Sequence, residues 1–485
     1  MNLAELGAPF EAMVIAGRRR TALSGDSFET LDPGRGEPLG AVPAGGAEDV
    51  DLAVQDAKAA LKGPWRDCEP KERGRLLRRV AELMRAGGER LAKVESLDSG
   101  KPISAARRDV ARSADYFDYY AGLCDKLEGT TIPLGRDKLS YTLRAPLGVT
   151  AHIVPWNVPL PIAARGLAPA LACGNTAVVK PAEETPLSAV ILAEILLEAG
   201  LPPGVCNVVT GTGEAAGAPL ARHPDIAQVT FTGSRETGVA VMKAAAEHVA
   251  AVTLELGGKS PVVVLGDADP ARAVAGVLKA FTHNAGQICS AGTRLVVERQ
   301  IHDQLLDGLG ARARGLSLGH GLDDPALGPL ISETQRNRVS GFVAGARDRG
   351  LALVTGGAAA RVDRCEAGFF YQPTILDQVP PEDEIAQEEV FGPVLCVQPV
   401  DSLEEAIAIA NGTRYGLAAG IYTQDISKAL IFAREVEAGQ VFINGYHNAG
   451  DTVPFGGFKE SGTGREKGLA ALANYCQIKA VTVDL

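Results

Sequence analysis

The feature that most constrains this chain is an alternation that begins near residue 147, where short apolar runs trade places with amphipathic segments. Thr176 to Val179 is β-branched and stops at Lys180-Pro181, which reads as a strand ending in a turn. Thr185-Pro186 is placed to cap and start a helix from Leu187 to Ala199, with Gly200 as its stop. Asn207 to Thr210 reads as a strand, Gly213 to His223 as a helix, Gln228 to Thr232 as a strand, Arg235 to His248 as a helix, and Val252 to Leu256 closes the series. Strand and helix alternating at this spacing predict parallel βαβ units with right-handed crossovers. Ligands of such sheets bind at the carboxyl ends of the strands.

The flanks differ. Long helical patterns fill residues 49–123, for example Glu72 to Met84 and Arg107 to Leu123. A second α/β region follows Gly257, with helices expected near 270–283, 300–315, 333–349 and 402–410. Lys138 to Ala145 alternates like an exposed strand, and Gln477 to Asp484 reads as another with nothing after it to pair with. Two such orphans suggest edge pairing between subunits. At 485 residues the chain is long enough for two or three domains, and no internal repeat divides it.

A formal net charge of -11 argues against a nucleic-acid-binding surface. The most apolar stretch, Val190 to Leu197, is interrupted by Glu194, so no membrane span is expected. Glu5 and Glu11 break the N-terminus, where no basic leader precedes an apolar run, so no targeting segment is expected either. The eight cysteines are scattered, with no CxxC pair and no zinc spacing. For all but Cys289 the expectation is a buried, reduced thiol in a cytoplasmic protein, with no metal site.

Four segments carry chemistry. In Asn284-Ala-Gly-Gln-Ile-Cys289-Ser-Ala-Gly292 the thiol sits in a small-residue loop, where access and nearby backbone N–H groups favour a thiolate. In Val252-Thr-Leu-Glu255-Leu-Gly257-Gly-Lys259 a carboxylate interrupts an apolar strand, which raises its pKa and suits a general base; the other reading is a solvated strand end. Prolines bracket Val154-Pro-Trp156-Asn157-Val-Pro159 and fix Asn157 as a candidate oxyanion donor, or as an ordinary turn. Phe231-Thr-Gly233-Ser234 joins a strand directly to a helix, whose N-terminus offers N–H groups to a phosphate, although no GxGxxG fingerprint opens a βαβ unit.

Taken in order, these segments resemble the aldehyde dehydrogenase superfamily over nearly the whole chain. The resemblance rests on Pro155-Trp-Asn157, Lys180-Pro-Ala-Glu183-Glu-Thr-Pro186, Phe231-Thr-Gly-Ser234, Leu254-Glu-Leu-Gly-Gly-Lys259, Gly286-Gln-Ile-Cys289, Glu388-Glu-Val-Phe-Gly-Pro393 and Pro454-Phe-Gly-Gly-Phe-Lys459-x-Ser-Gly462. It implies a non-acylating enzyme that oxidises an aldehyde to a carboxylate, with Cys289 as nucleophile, Asn157 and the Cys289 N–H holding the oxyanion, and Glu255 activating the water that hydrolyses the thioester. It places Trp156, Lys180, Glu183, Gly233, Ser234, Gly257, Glu389 and Phe391 on the cofactor. The cofactor it implies is NAD rather than NADP, because Glu183 would repel a 2′-phosphate, while Lys180 could tolerate one.

The fold implied is α/β, with two doubly wound domains and a β oligomerisation arm. Residues 1–124 and 147–257 would form the NAD-binding domain and 258–454 the catalytic domain. Residues 125–146 and 470–485 would form the arm, with 455–469 returning to the body. The expected assembly is a homodimer or homotetramer.

For the substrate, Arg165 falls where relatives acting on succinic semialdehyde carry an arginine, and His283 where they carry a second. That implies a polar or carboxylate-bearing aldehyde, with Arg165 turned into a structural salt bridge as the alternative. Neutral aliphatic or aromatic aldehydes remain open by the same mechanism. Release of the thioester to coenzyme A and a catalytically silent scaffold are the rival classes; Glu255, and its coincidence with Cys289 and Asn157, argue against both.

Overall fold

The computed structural model describes residues 12–447 and 450–485. Glu5 and Glu11, on which the reading of the N-terminus leaned, lie outside them. Two large sheets organise the described chain. The first is eight-stranded, and its centre is five parallel strands in the order Cys206–Val208, Thr176–Pro181, Val149–Val154, Ile226–Thr232, Ala251–Glu255. Met13–Ile15 and Gly462–Thr463 pair antiparallel on its two sides. Every residue of Thr176–Pro181 is buried, as a central parallel strand covered on both faces requires.

The strand order reverses beside Val149–Val154: the next two strands in the chain add on one side and the following two on the other. A crevice therefore opens between Val149–Val154 and Ile226–Thr232 at their carboxyl ends, where Trp156 and Ser234 follow.

The second sheet is seven-stranded, parallel apart from its edge strand Ala352–Thr355. Its first strand in the chain, Ser260–Val264, follows Ala251–Glu255 of the first sheet after only residues 256–259. That short link sets the carboxyl edge of one sheet against the amino edge of the other. Cys289 stands just before Gly292–Glu298, at the amino edge of the second sheet. The carboxyl-end expectation holds for the crevice and not for the thiol.

The expected helices are present, among them Pro70–Ala86, Ile103–Ala121, Pro270–Thr282, Arg299–Arg314 and Glu333–Asp348. Two details differ. The segment from Gly213 splits into a π-turn, Gly213–Gly217, and the short helix Ala218–Arg222. Thr185 does not cap Leu187–Glu198; the carboxylate of Asp98, on helix Gly88–Ser99, accepts the Leu187 N–H at 3.1 Å instead.

The two arm strands are not orphans. Lys138–Pro146 and Cys476–Asp484 pair with each other, antiparallel, from Cys476↔Pro146 to Asp484↔Lys138, and Thr131–Ile132 adds a third strand. Period-2 patterning identified both strands but could not show that each was the other's partner.

Among the described residues no helix is long and apolar enough to cross a membrane. All eight cysteines are free, and Cys68, Cys289 and Cys476 are only partly buried, so burial holds for the other five.

Candidate active site

Cys289 is reached through a tight turn. Asn284, Ala285 and Gly286 take φ of 52°, 55° and 73° in succession, a left-handed run that only close packing sustains. A Cβ on Gly286 would lie 2.1 Å from the Gly392 carbonyl oxygen, so the turn is pressed onto the Glu388–Pro393 motif. Asn157 braces it from the first sheet: its Nδ2 donates to the Gln287 carbonyl at 2.8 Å, while Asn284 Nδ2 donates to the Asn157 carbonyl at 3.0 Å. Gln287 in turn accepts the Ile331 N–H at 2.9 Å. The amide of Asn157 is thus locked next to the Cys289 loop, and among the described residues one of its two N–H bonds is left for another acceptor.

Cys289, Asn157, Arg165 and His283 line one cavity of about 300 Å³. Burial pushes the thiol up to about 12, against the pull of Arg165 and the Ser290 N–H. The backbone help expected for a thiolate is present but outweighed, so the resting group is a thiol.

Glu255 ends its strand 1% exposed, and neither carboxylate oxygen has a hydrogen-bond partner among the described residues. Burial and the neighbouring Glu466 hold its pKa well above the ordinary carboxylate value, with Arg165 pulling the other way. Of the two readings, the buried carboxylate fits and the solvated strand end does not. It lines neither this cavity nor the next, and lies behind the loop in which a Cβ on Gly456 would come within 2.9 Å of its Oε1.

Arg165 both lines the cavity and carries a partner. Its Nε touches the Glu466 carboxylate, and its guanidinium lies 5.0 Å from the Phe455 ring centroid. The contact brings charges together without hydrogen-bond geometry. His283 packs against His447 with ring centroids 5.7 Å apart, and burial lowers its pKa to about 4. At neutral pH it is an uncharged imidazole, able to hydrogen-bond but not to act as a second cation.

Trp156, Lys180, Glu183, Gly233 and Ser234 line a separate cleft of about 340 Å³ at the switch point of the first sheet. Lys180 Nζ meets Glu183 at 2.9 Å, and the Gly213 N–H reaches the same carboxylate at 3.4 Å. Burial opposes ionisation of Glu183, but Lys180 outweighs it and holds the carboxylate below its ordinary value. Ser234 caps helix Arg235–Ala246, accepting the Thr237 N–H at 3.2 Å, and so aims a helix N-terminus into the cleft.

Glu389, Phe391 and Gly257 line neither cavity. The Gly258 N–H donates to Glu389 at 3.1 Å, and burial lifts that carboxyl to about 7. A Cβ on Gly257 would stand 2.2 Å from Glu389 Oε2, so Gly257 makes room for the carboxylate. Phe391 sets its ring edge-on to Trp156, with centroids 5.2 Å apart.

Sequence reasoning missed part of the cavity wall. Arg108, Arg112 and Tyr116 come from one face of helix Ile103–Ala121, and their i, i+4 spacing was a readable signal. Phe455 and Lys467 come from the chain after residue 454, where Arg465-Glu466-Lys467 is a charged run beside a glycine-rich segment. Among the described residues no cluster of His, Cys, Asp or Glu is arranged to hold a metal ion.

The chain that carries these side chains is similar to known proteins along nearly its whole length. The hydroxyisobutyraldehyde dehydrogenase of Mycolicibacterium austroafricanum is 44% identical over 98% of this chain and 94% of its own length. The phenylacetaldehyde dehydrogenase of Pseudomonas fluorescens is 43% identical over 97% of this chain and 95% of its own. The structure of an aldehyde dehydrogenase from Bacillus cereus in complex with NAD+ superposes with a TM-score of 0.97 at 41% identity, covering 100% of this chain and 98% of that one. The model of the aldehyde dehydrogenase family matches residues 21–481, and the chain belongs to that family.

Proposed function

We propose that the protein oxidises an aldehyde to its carboxylic acid by covalent catalysis at Cys289, with NAD, when bound, accepting the hydride. The observation that carries this reading is the peptide between Trp156 and Asn157: one residue lines the cleft and the next lines the cavity, so a cofactor and a substrate would meet across it.

Glu255 first takes the thiol proton and passes it to solvent; Cys289 Sγ then attacks the carbonyl carbon, and the Asn157 amide and the Cys289 N–H hold the oxyanion that forms. After oxidation to the thioester, Glu255 takes a proton from the attacking water, a task suited to a carboxyl with a raised proton affinity. Lys180 and Glu183 would hold the adenosine ribose and the N-terminus of Arg235–Ala246 the pyrophosphate. Glu389 would hold the nicotinamide ribose. The ionised Glu183 favours NAD, since a 2′-phosphate would meet its charge.

The substrate we propose is a polar or carboxylate-bearing aldehyde. Lys101, Arg108, Arg112, Arg165, Lys279 and Lys467 line the cavity against the single carboxylate Asp109, a cationic wall suited to an anion. Neutral aldehydes are the second reading, favoured by the aromatic side chains Tyr116, Phe442 and Phe455 on the same wall and by the phenylacetaldehyde relative. Eight free thiols support a reducing, cytoplasmic setting. The exposed arm residues Leu139, Leu143 and Ile478 support a homodimer or homotetramer.

The test is NADH formation across an aldehyde panel, with NAD and NADP in parallel and with coenzyme A present or absent. Turnover with NAD alone, concentrated on ω-carboxylate aldehydes, is expected. Turnover spread over neutral aldehydes would remove the substrate class and keep the mechanism. Activity only with coenzyme A would overturn the role of Glu255.

A further inference from the structure

Among the described residues that line the cavity, one buried cation forms no ion pair. Lys101 pairs with Glu95 at 3.2 Å and with Asp109 at 2.7 Å, Arg112 reaches Asp451 at 3.5 Å, and Arg165 touches Glu466. Arg108 and Lys279 are exposed, where solvent screens them. Lys467 is different. It is 9% exposed, it lines the cavity with Cys289, and its ammonium forms no ion pair within 4 Å among the described residues. Its Nζ lies instead 5.4 Å from the Phe455 ring centroid and 5.9 Å from that of Tyr116. Aromatic faces orient an ammonium but leave most of its hydrogen-bonding capacity unused. A buried lysine without a carboxylate is costly, and an anion bound in the cavity would offset that cost.

We propose that Lys467 is the group that recognises the anionic end of the substrate, a carboxylate carried at the far end of an aldehyde whose carbonyl lies at Cys289. This rests on the carboxylate-bearing substrate class proposed above and moves its recognition away from Arg165, whose charge Glu466 already meets. The backbone supports the placement. Lys467 takes φ of 62°, a left-handed conformation that costs a non-glycine residue energy and fixes where its side chain starts. The groups facing it are Arg165 and Arg112, which repel its proton, and Asp451 and Glu466, which retain it. Burial, ahead of these, brings its pKa down to about 8, so its charge titrates within the range of an enzyme assay.

The experiment compares kcat/KM for succinic semialdehyde with that for its neutral methyl ester, in the wild-type enzyme and in Lys467→Met, Lys467→Arg and Arg165→Lys. The wild type is expected to prefer the acid, and Lys467→Met to cut that preference about ten- to a hundredfold, as loss of a charge-assisted hydrogen bond does. The KM for the acid should rise above pH 8 in the wild type and stay flat in Lys467→Arg, whose guanidinium keeps its proton. A wild type that prefers the acid while Lys467→Met keeps the full preference overturns the role of Lys467 and leaves the substrate class standing. A wild type without preference overturns both. If Lys467→Met fails to fold, the pH profile of Lys467→Arg decides, and a profile identical to the wild type's counts against the proposal.

Discussion

The cleft and the cavity lie on either side of the Trp156–Asn157 peptide, yet they are built by different means. The cleft is local. Its residues follow the carboxyl ends of neighbouring parallel strands, and its polar contacts are a helix cap, an i, i+3 ion pair and a backbone N–H. The cavity is assembled from distant parts of the chain: a helix before the five parallel strands of the first sheet, a loop before a strand of the second, and the segment after residue 454. A site made by backbone geometry tolerates changes around it. A site made by buried charges depends on each partner being present, because an unpaired charge in a dry wall is expensive. Cofactor binding should therefore be the robust function and substrate handling the sensitive one.

The largest effect that could break this comparison comes from Cys289→Ala. We expect kcat to fall at least about ten-thousandfold, as loss of a covalent nucleophile does, while NAD binding by titration calorimetry stays within about twofold. A parallel loss of NAD affinity would mean that the two cavities are one site. Asn157→Ala sharpens the boundary: removal of one oxyanion donor should lower kcat about a hundredfold or more. Because Asn157 also braces Gln287, thermal unfolding should accompany the kinetics; a drop in activity matched by a collapse in melting temperature would reassign the residue to structure.

The smallest effect is on the cofactor side. Glu389 is raised to about 7 by burial, and it would accept ribose hydroxyls best when ionised. An acid that binds ligand in its charged form gains affinity as pH rises through its pKa. The NAD dissociation constant should thus fall about tenfold per unit up to pH 7 and level off above it. Glu389→Gln should be flat with pH. A flat wild type would show that Glu389 does not engage the cofactor.

The same contrast explains what the sequence made legible. Gly233 and Ser234 were legible as a strand end joined to a helix start, and Trp156, Lys180 and Glu183, placed by the resemblance, fall in the same cleft. Cys289 and Asn157 were found by loop composition, and they do share a wall. Arg165 was found as a position, but its contact with Glu466 depends on a segment brought back from the far end of the chain. Lys467 went unread for the same reason: no local pattern distinguishes a buried lysine from a solvated one until the rings of Tyr116 and Phe455 are placed around it. Asp98 capping Leu187 from another helix belongs with these, a short-range role filled by a long-range residue.

The pairing of Lys138–Pro146 with Cys476–Asp484 has a bearing on how the molecule is made. Its two strands enclose all of both large sheets along the chain except the edge strands Met13–Ile15 and Arg18–Arg20, so the ladder cannot reward the chain for the loop it closes until those sheets have largely formed. The arm is then a late event in folding. While it waits, Leu139, Leu143, Ile478 and Val483 sit on unpaired strand edges, the condition under which chains exchange strands with one another. A refolding yield that falls with protein concentration would be the mark of that interval.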